Sequence, residues 1–173
     1  MFIRLLVICI VITSCAQKDH LPAPDAHLSL ITEHDRLHYL QIKDDISFDW
    51  WELPYPVYRF QTGDIDQDGE LDMMVGVIKA TRFDSTNAKR IFIFKNYNGL
   101  VRPLWLGSRM GQPIEDFIFI QTTDGPRIRC IEIEKSGRYL VADYKWRKFG
   151  MEFTQYLAKE TDIKHAYQLL NHQ

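Results

Sequence analysis

The chain has 173 residues, of which 46% are hydrophobic, 25% charged and 13% aromatic, with a formal net charge of −2. That length and balance imply one globular domain, and the aromatic content favours sheets over a helical bundle. The absence of a net basic field excludes a general nucleic-acid binder.

The first residues read as a targeting segment. Met1-Phe2-Ile3-Arg4 is a positive start, and Leu5 to Ile12 is an apolar stretch too short to cross a bilayer, which takes ~20 residues. Ile12-Thr13-Ser14-Cys15 then resembles the lipobox of bacterial lipoproteins. The resemblance implies a signal peptide over residues 1–14 and lipidation of Cys15 as the first residue of the mature chain, with three acyl chains giving a stable anchor. Ala16 stands where an acidic residue would retain some lipoproteins at the inner membrane, so a lipid-anchored position in the bacterial cell envelope, at the outer membrane, is expected. Of the 3 cysteines, the resemblance implies that Cys9 leaves with the signal and that Cys15 would be acylated. Cys130 is left alone, so an intramolecular disulfide is excluded and Cys130 reads as a small buried strand residue. Residues 15–27, with Pro22 and Pro24, read as a flexible tether.

A blade-like β domain is expected over residues 28–158. His34 and His38 stand four apart, a metal-binding spacing on a helix, but Leu37 to Ile42 alternates like a strand, which separates them. Asp44-Asp45 is a turn, and Ile46 to Trp51 completes a hairpin over 37–51. Trp50 and Trp51 are either core residues or an exposed pair able to stack on sugar rings.

Next comes Asp64-Ile65-Asp66-Gln67-Asp68-Gly69-Glu70-Leu71-Asp72. Acids at the first, third, fifth and ninth positions converge oxygens on one point, as the hard ion Ca²⁺ requires. Gly69 permits the sharp turn, and Glu70 would add its backbone carbonyl. Without a cation, four such acids repel one another. An EF-hand would need flanking helices and Glu at the twelfth position, which here is Val75. The downstream run to Ile78 reads instead as a buried strand. This strand–loop–strand segment, Val57 to Trp105, resembles an FG-GAP or VCBS repeat, the calcium-binding blade of integrin-type β-propellers. The resemblance implies a structural Ca²⁺ site at loop 64–72, with Asp64, Asp66, Asp68, Glu70 and Asp72 as its residues.

Within that unit the expected strands are Val57–Gln61, Leu71–Ala80, Arg90–Lys95 and Leu100–Trp105. Thr81 to Lys89 reads as a polar loop, Asn98-Gly99 as a hairpin turn, and Pro103 as the mark of an edge strand. A second, degenerate unit follows: Phe117–Gln121, Arg127–Glu134, Arg138–Tyr144 and Met151–Leu157. Its corresponding turn holds only Asp124, too few ligands for metal. The fold class is therefore mainly β, with antiparallel four-stranded blade-like sheets amounting to about two and a half propeller-type units. That is too few to close a propeller. Residues 159–173 contain a short C-terminal helix, with Thr161 as candidate cap and Ile163, Ala166, Tyr167 and Leu170 on one face.

Nucleophile motifs are lacking. Glu132 and Glu134 share a strand face and read as a solvated face, or as the acid pair of a glycan hydrolase. The leading expectation is a non-enzymatic, lipid-anchored, calcium-stabilised envelope protein that binds an unknown protein or glycan ligand. The alternatives are an envelope glycan hydrolase, using Glu132 and Glu134 or the acids of Asp64–Asp72, or an assembly subunit pairing through an open sheet edge.

Overall fold

The computed structural model describes residues 27–172, apart from 46, 83, 108 and 109. The expected signal segment, Cys15 and most of the tether therefore lie outside the described residues. Eleven strands form three antiparallel meanders, none of them closed. The first sheet holds β1 (His27–His34), β2 (Leu37–Lys43) and β3 (Phe48–Leu53). The second holds β4 (Val57–Gly63), β5 (Asp72–Thr81), β6 (Asp84–Tyr97) and β7 (Leu100–Leu106). The third holds β8 (Ile114–Thr122), β9 (Gly125–Ile133), β10 (Tyr139–Arg147) and β11 (Gly150–Thr161). The helix α1 (Ile163–Asn171) ends the chain.

The sheets stack in chain order, and alternation of side chains across each strand makes the layers. In β5 and β6, Met73, Val75, Val77, Phe92 and Phe94 face the first sheet, meeting Leu40, Ile42 and Leu53. Their alternates Met74, Ile91 and Ile93 face the third sheet, meeting Phe117, Ile128, Cys130 and Ala142. The second sheet is thus covered on both sides, which is why β5 reads as an unbroken apolar run. Ile118, Ile120, Ile131 and Val141 point the other way, onto Ala166 and Leu170 of α1. Each fully buried side chain of this size contributes about 1.5–3 kcal/mol by leaving water.

Polar contacts join the layers at their rims. Asp49 accepts from the Val101 N–H at 2.9 Å, linking the first and second sheets. Arg59 donates from Nε to Asp116 Oδ1 at 2.6 Å and from Nη2 to Oδ2, and Gln61 Oε1 accepts from the Phe119 N–H at 2.6 Å, linking the second and third.

Several expectations need correction. A strand, β1, already begins at His27, the last residue assigned to the tether. The polar loop expected over Thr81–Lys89 is mostly strand: β6 starts at Asp84, and Lys79 pairs with Ala88. Ser85, Thr86 and Asn87 are exposed on this extension of the hairpin, so their polarity reflects solvent rather than a loop. The helix cap is Asp162, whose carboxylate accepts from the His165 N–H at 2.9 Å, whereas Thr161 is the last residue of β11. Asn98 and Gly99 both take positive φ, 53° and 79°, as the two-residue turn requires.

Candidate metal centre

The acid loop links β4 to β5, adjacent strands of the second sheet. Gly63 at the end of β4 lies against the Phe119 ring, where an added Cβ would sit 2.4 Å from the nearest ring carbon. The loop turns through positive φ at Gln67 (61°) and Gly69 (92°), and the second of these is the position where glycine alone is unstrained. Asp64 organises the turn, accepting from the N–H groups of Asp68 at 3.1 Å and Gly69 at 3.0 Å. Asp68 Oδ1 in turn accepts from the Glu70 N–H at 3.0 Å.

Of the four aspartates expected to offer carboxylates, three converge. Asp64, Asp66 and Asp72 each offer a carboxylate oxygen, and these oxygens lie within 4.8 Å of one another. Oxygens on opposite sides of one Ca²⁺ stand about 4.6–5.2 Å apart, twice the usual Ca–O distance. The Asp68 and Glu70 side chains make other contacts, which leaves the backbone carbonyl expected of Glu70 a separate matter. Asp68 accepts from the Lys95 ammonium, and Glu70 Oε2 accepts from Asn96 Nδ2 at 3.3 Å.

Asp72 is fully buried at the start of β5. Its Oδ2 accepts from the Ile65 N–H at 3.0 Å, but its Oδ1 is buried without a partner, as is Oδ1 of Asp66. Burial pushes the Asp72 carboxyl up to about 7. The Ile65 N–H opposes this, and the charges of Asp66 and Asp68 add to it. Two sealed, unmatched carboxylate oxygens within one cluster are costly unless a cation meets them or a proton neutralises the carboxylate. The donor set, all carboxylate oxygen, suits a hard divalent ion rather than a soft transition metal. The carboxylates of Asp64, Asp66 and Asp72 could therefore hold a hard divalent ion such as Ca²⁺, which would neutralise the cluster and tie β4 to β5.

Sequence reasoning missed the internal cation. Lys95, opposite Asp72 in the β5–β6 ladder, donates to Asp66 Oδ2 at 2.7 Å and to Asp68 Oδ2. Desolvation lowers this ammonium, but the hydrogen bonds and charges of the two aspartates outweigh it and hold Lys95 above its ordinary range. The same ammonium keeps Asp68 below its ordinary range against its partial burial.

The other candidates resolve differently. His38 is buried, with ring contacts to Thr32 Oγ1 at 3.0 Å and the Asp35 carbonyl at 3.3 Å, while His34 Nδ1 accepts from the Arg36 N–H. The two histidines share no site. Trp50 is exposed and Trp51 is turned inward against Phe94, so they do not form an exposed pair. Cys130 is fully buried. Glu132 is not on a solvated face: it is sealed in the core, accepting from the Tyr144 hydroxyl and the Gln112 N–H. Glu134 instead accepts from the Glu160 N–H at 2.6 Å.

Comparison of the chain with family models, curated proteins and solved structures returned no match.

Proposed function

We propose that this is a non-enzymatic, lipid-anchored protein of the bacterial cell envelope, whose β-domain is stabilised by Ca²⁺ and serves as a binding module. The observation that carries the calcium reading is the pair of buried, unpartnered oxygens on Asp66 and Asp72 inside a three-carboxylate cluster. The likeness of the Asp64–Asp72 segment to an FG-GAP or VCBS repeat supports it, as does its position between the first two strands of a four-stranded meander. The anchor rests on the resemblance of residues 12–15 to a lipobox. No helix among the described residues is long and apolar enough to cross a membrane. The hydrolase alternative gains nothing from Glu132, which is closed off from solvent.

Thermal unfolding with calcium and with EGTA tests the metal. A site with a Kd near 10⁻⁴ M contributes about 1.8 kcal/mol at roughly 2 mM Ca²⁺, raising Tm by roughly 4–7 °C. Asp72→Asn keeps the Ile65 hydrogen bond and should abolish that rise. An unchanged Tm together with no bound calcium by elemental analysis refutes the reading. For the anchor, cells fed labelled palmitate should mark the parent chain and leave Cys15→Ser unmarked.

A further inference from the structure

The β5–β6 hairpin outruns the sheet that covers it: β6 has 14 residues and β3 only 6. Beyond the cover, a cleft of about 970 Å³ opens between the first and second sheets. That is the size of a site for a small molecule. Trp51 and Tyr55 form one wall, and Phe92 and Leu106 belong to the other.

Two cations stand on the cleft-facing side of the hairpin, on neighbouring strands. The Lys79 ammonium lies 4.0 Å from the centre of the Tyr55 ring and 5.5 Å from that of Phe92. Among the described residues it has no carboxylate partner. Arg90 is more than nine-tenths buried, with Nη2 donating to Asp84 at 2.7 Å and Nε buried without an acceptor. The lining as a whole carries three cationic and two acidic residues, an excess of one positive charge on a chain whose formal charge is −2. An ammonium held against aromatic faces in partial burial gains most from a single anion brought beside it.

We propose that this cleft binds a small monocarboxylic acid carried on a flat apolar body, the carboxylate meeting Lys79 and the ring system lying among the aromatic walls. The inference rests on the reading of the domain as a binding module. It is separate from the metal, because Asp72 and Lys79–Thr81 occupy opposite ends of β5, a strand of 10 residues.

The test uses the full-length protein and a matched pair of probes, 2-naphthoic acid and 2-naphthamide, followed by tryptophan fluorescence. Each titration is run in excess calcium and again in EGTA. The acid should bind saturably and at least about tenfold more tightly than the amide in both buffers. Lys79→Met should bring the two probes to near parity, and Arg90→Lys, which keeps the charge but lacks Nε, should retain most of the preference. Equal affinity for acid and amide overturns the proposal. So does an undiminished preference in Lys79→Met, or a lack of saturation by about 10 mM probe. Calcium binding is read separately from Tm, so either reading can fail while the other stands.

Discussion

Lys95 stands across the ladder from Asp72 and reaches past it to Asp66 and Asp68, so the acid loop already contains a cation of its own. A divalent ion entering the cluster has to compete with that ammonium for Asp66 and tolerate its charge nearby. Lys95→Met should therefore lower the stability of the calcium-free protein, by leaving like charges unpaired, and tighten calcium binding by about tenfold. Calorimetric titration of parent and variant measures the second effect, and melting in EGTA the first. Glu132 makes a different point about a buried acid. Burial raises its carboxyl above the ordinary range, against the lowering effect of the Tyr144 hydroxyl and the Gln112 N–H. The folded state thus favours the protonated form. The stability this contributes is complete below the ordinary carboxylate range, near pH 4, and is lost as pH rises through the raised folded value. Glu132→Gln cannot ionise, so Tm measured from pH 4 to pH 8 should fall in the parent relative to the variant, whatever constant offset separates them at pH 4.

At the scale of elements, α1 is held by more than its apolar face. Arg129 on β9 donates from Nη1 to the carbonyls of Leu169 at 3.0 Å and His172 at 2.7 Å, at the C-terminal end of the helix. Its Nε donates to Asp143 Oδ1 at 2.8 Å, and Gln155 donates to the other oxygen of that carboxylate. A guanidinium there satisfies carbonyls the helix leaves open and complements the helix dipole. Asp143→Ala leaves the cation buried and unpaired, at a cost of about 3–5 kcal/mol. Urea unfolding should show that loss, and hydrogen exchange should show α1 among the first segments to lose protection. How far such elements can be read in a sequence depends on where their partners lie. The alternation in Arg127–Glu134, the doubly buried run after Leu71 and the Asn98-Gly99 turn are local patterns, and they were legible. The Thr81–Lys89 region was not, because a polar hairpin tip and a polar loop share a composition. That misreading carried a further cost: pairing Ala80 with Arg90 puts Asn98, not Lys95, opposite Asp72. Glu132 was misread for a related reason. Alternation reports which face an acid occupies, and says nothing about a tyrosine and a backbone N–H waiting there.

For the molecule as a whole, three meanders and a helix form layers in the order of the chain, and the polar bridges Asp49–Val101, Arg59–Asp116 and Gln61–Phe119 join each sheet to the next. The expectation of blade-like units that do not close on themselves holds, because the stack is ended by other means: a three-stranded sheet on one side and α1 on the other. Removing residues 27–53 would bare Met73, Val75, Val77, Phe92 and Phe94 together. A contiguous apolar face of that kind drives association, so light scattering should report larger assemblies from the truncated chain than from the parent.

A pile of leaves bound in reading order has no single seam. Pulled from its two ends, this chain should open in discrete steps, each releasing one leaf from the next, and the middle leaf should yield at higher force when calcium pins its first fold. The acid loop would then act as a rivet, setting which leaf is the last to go.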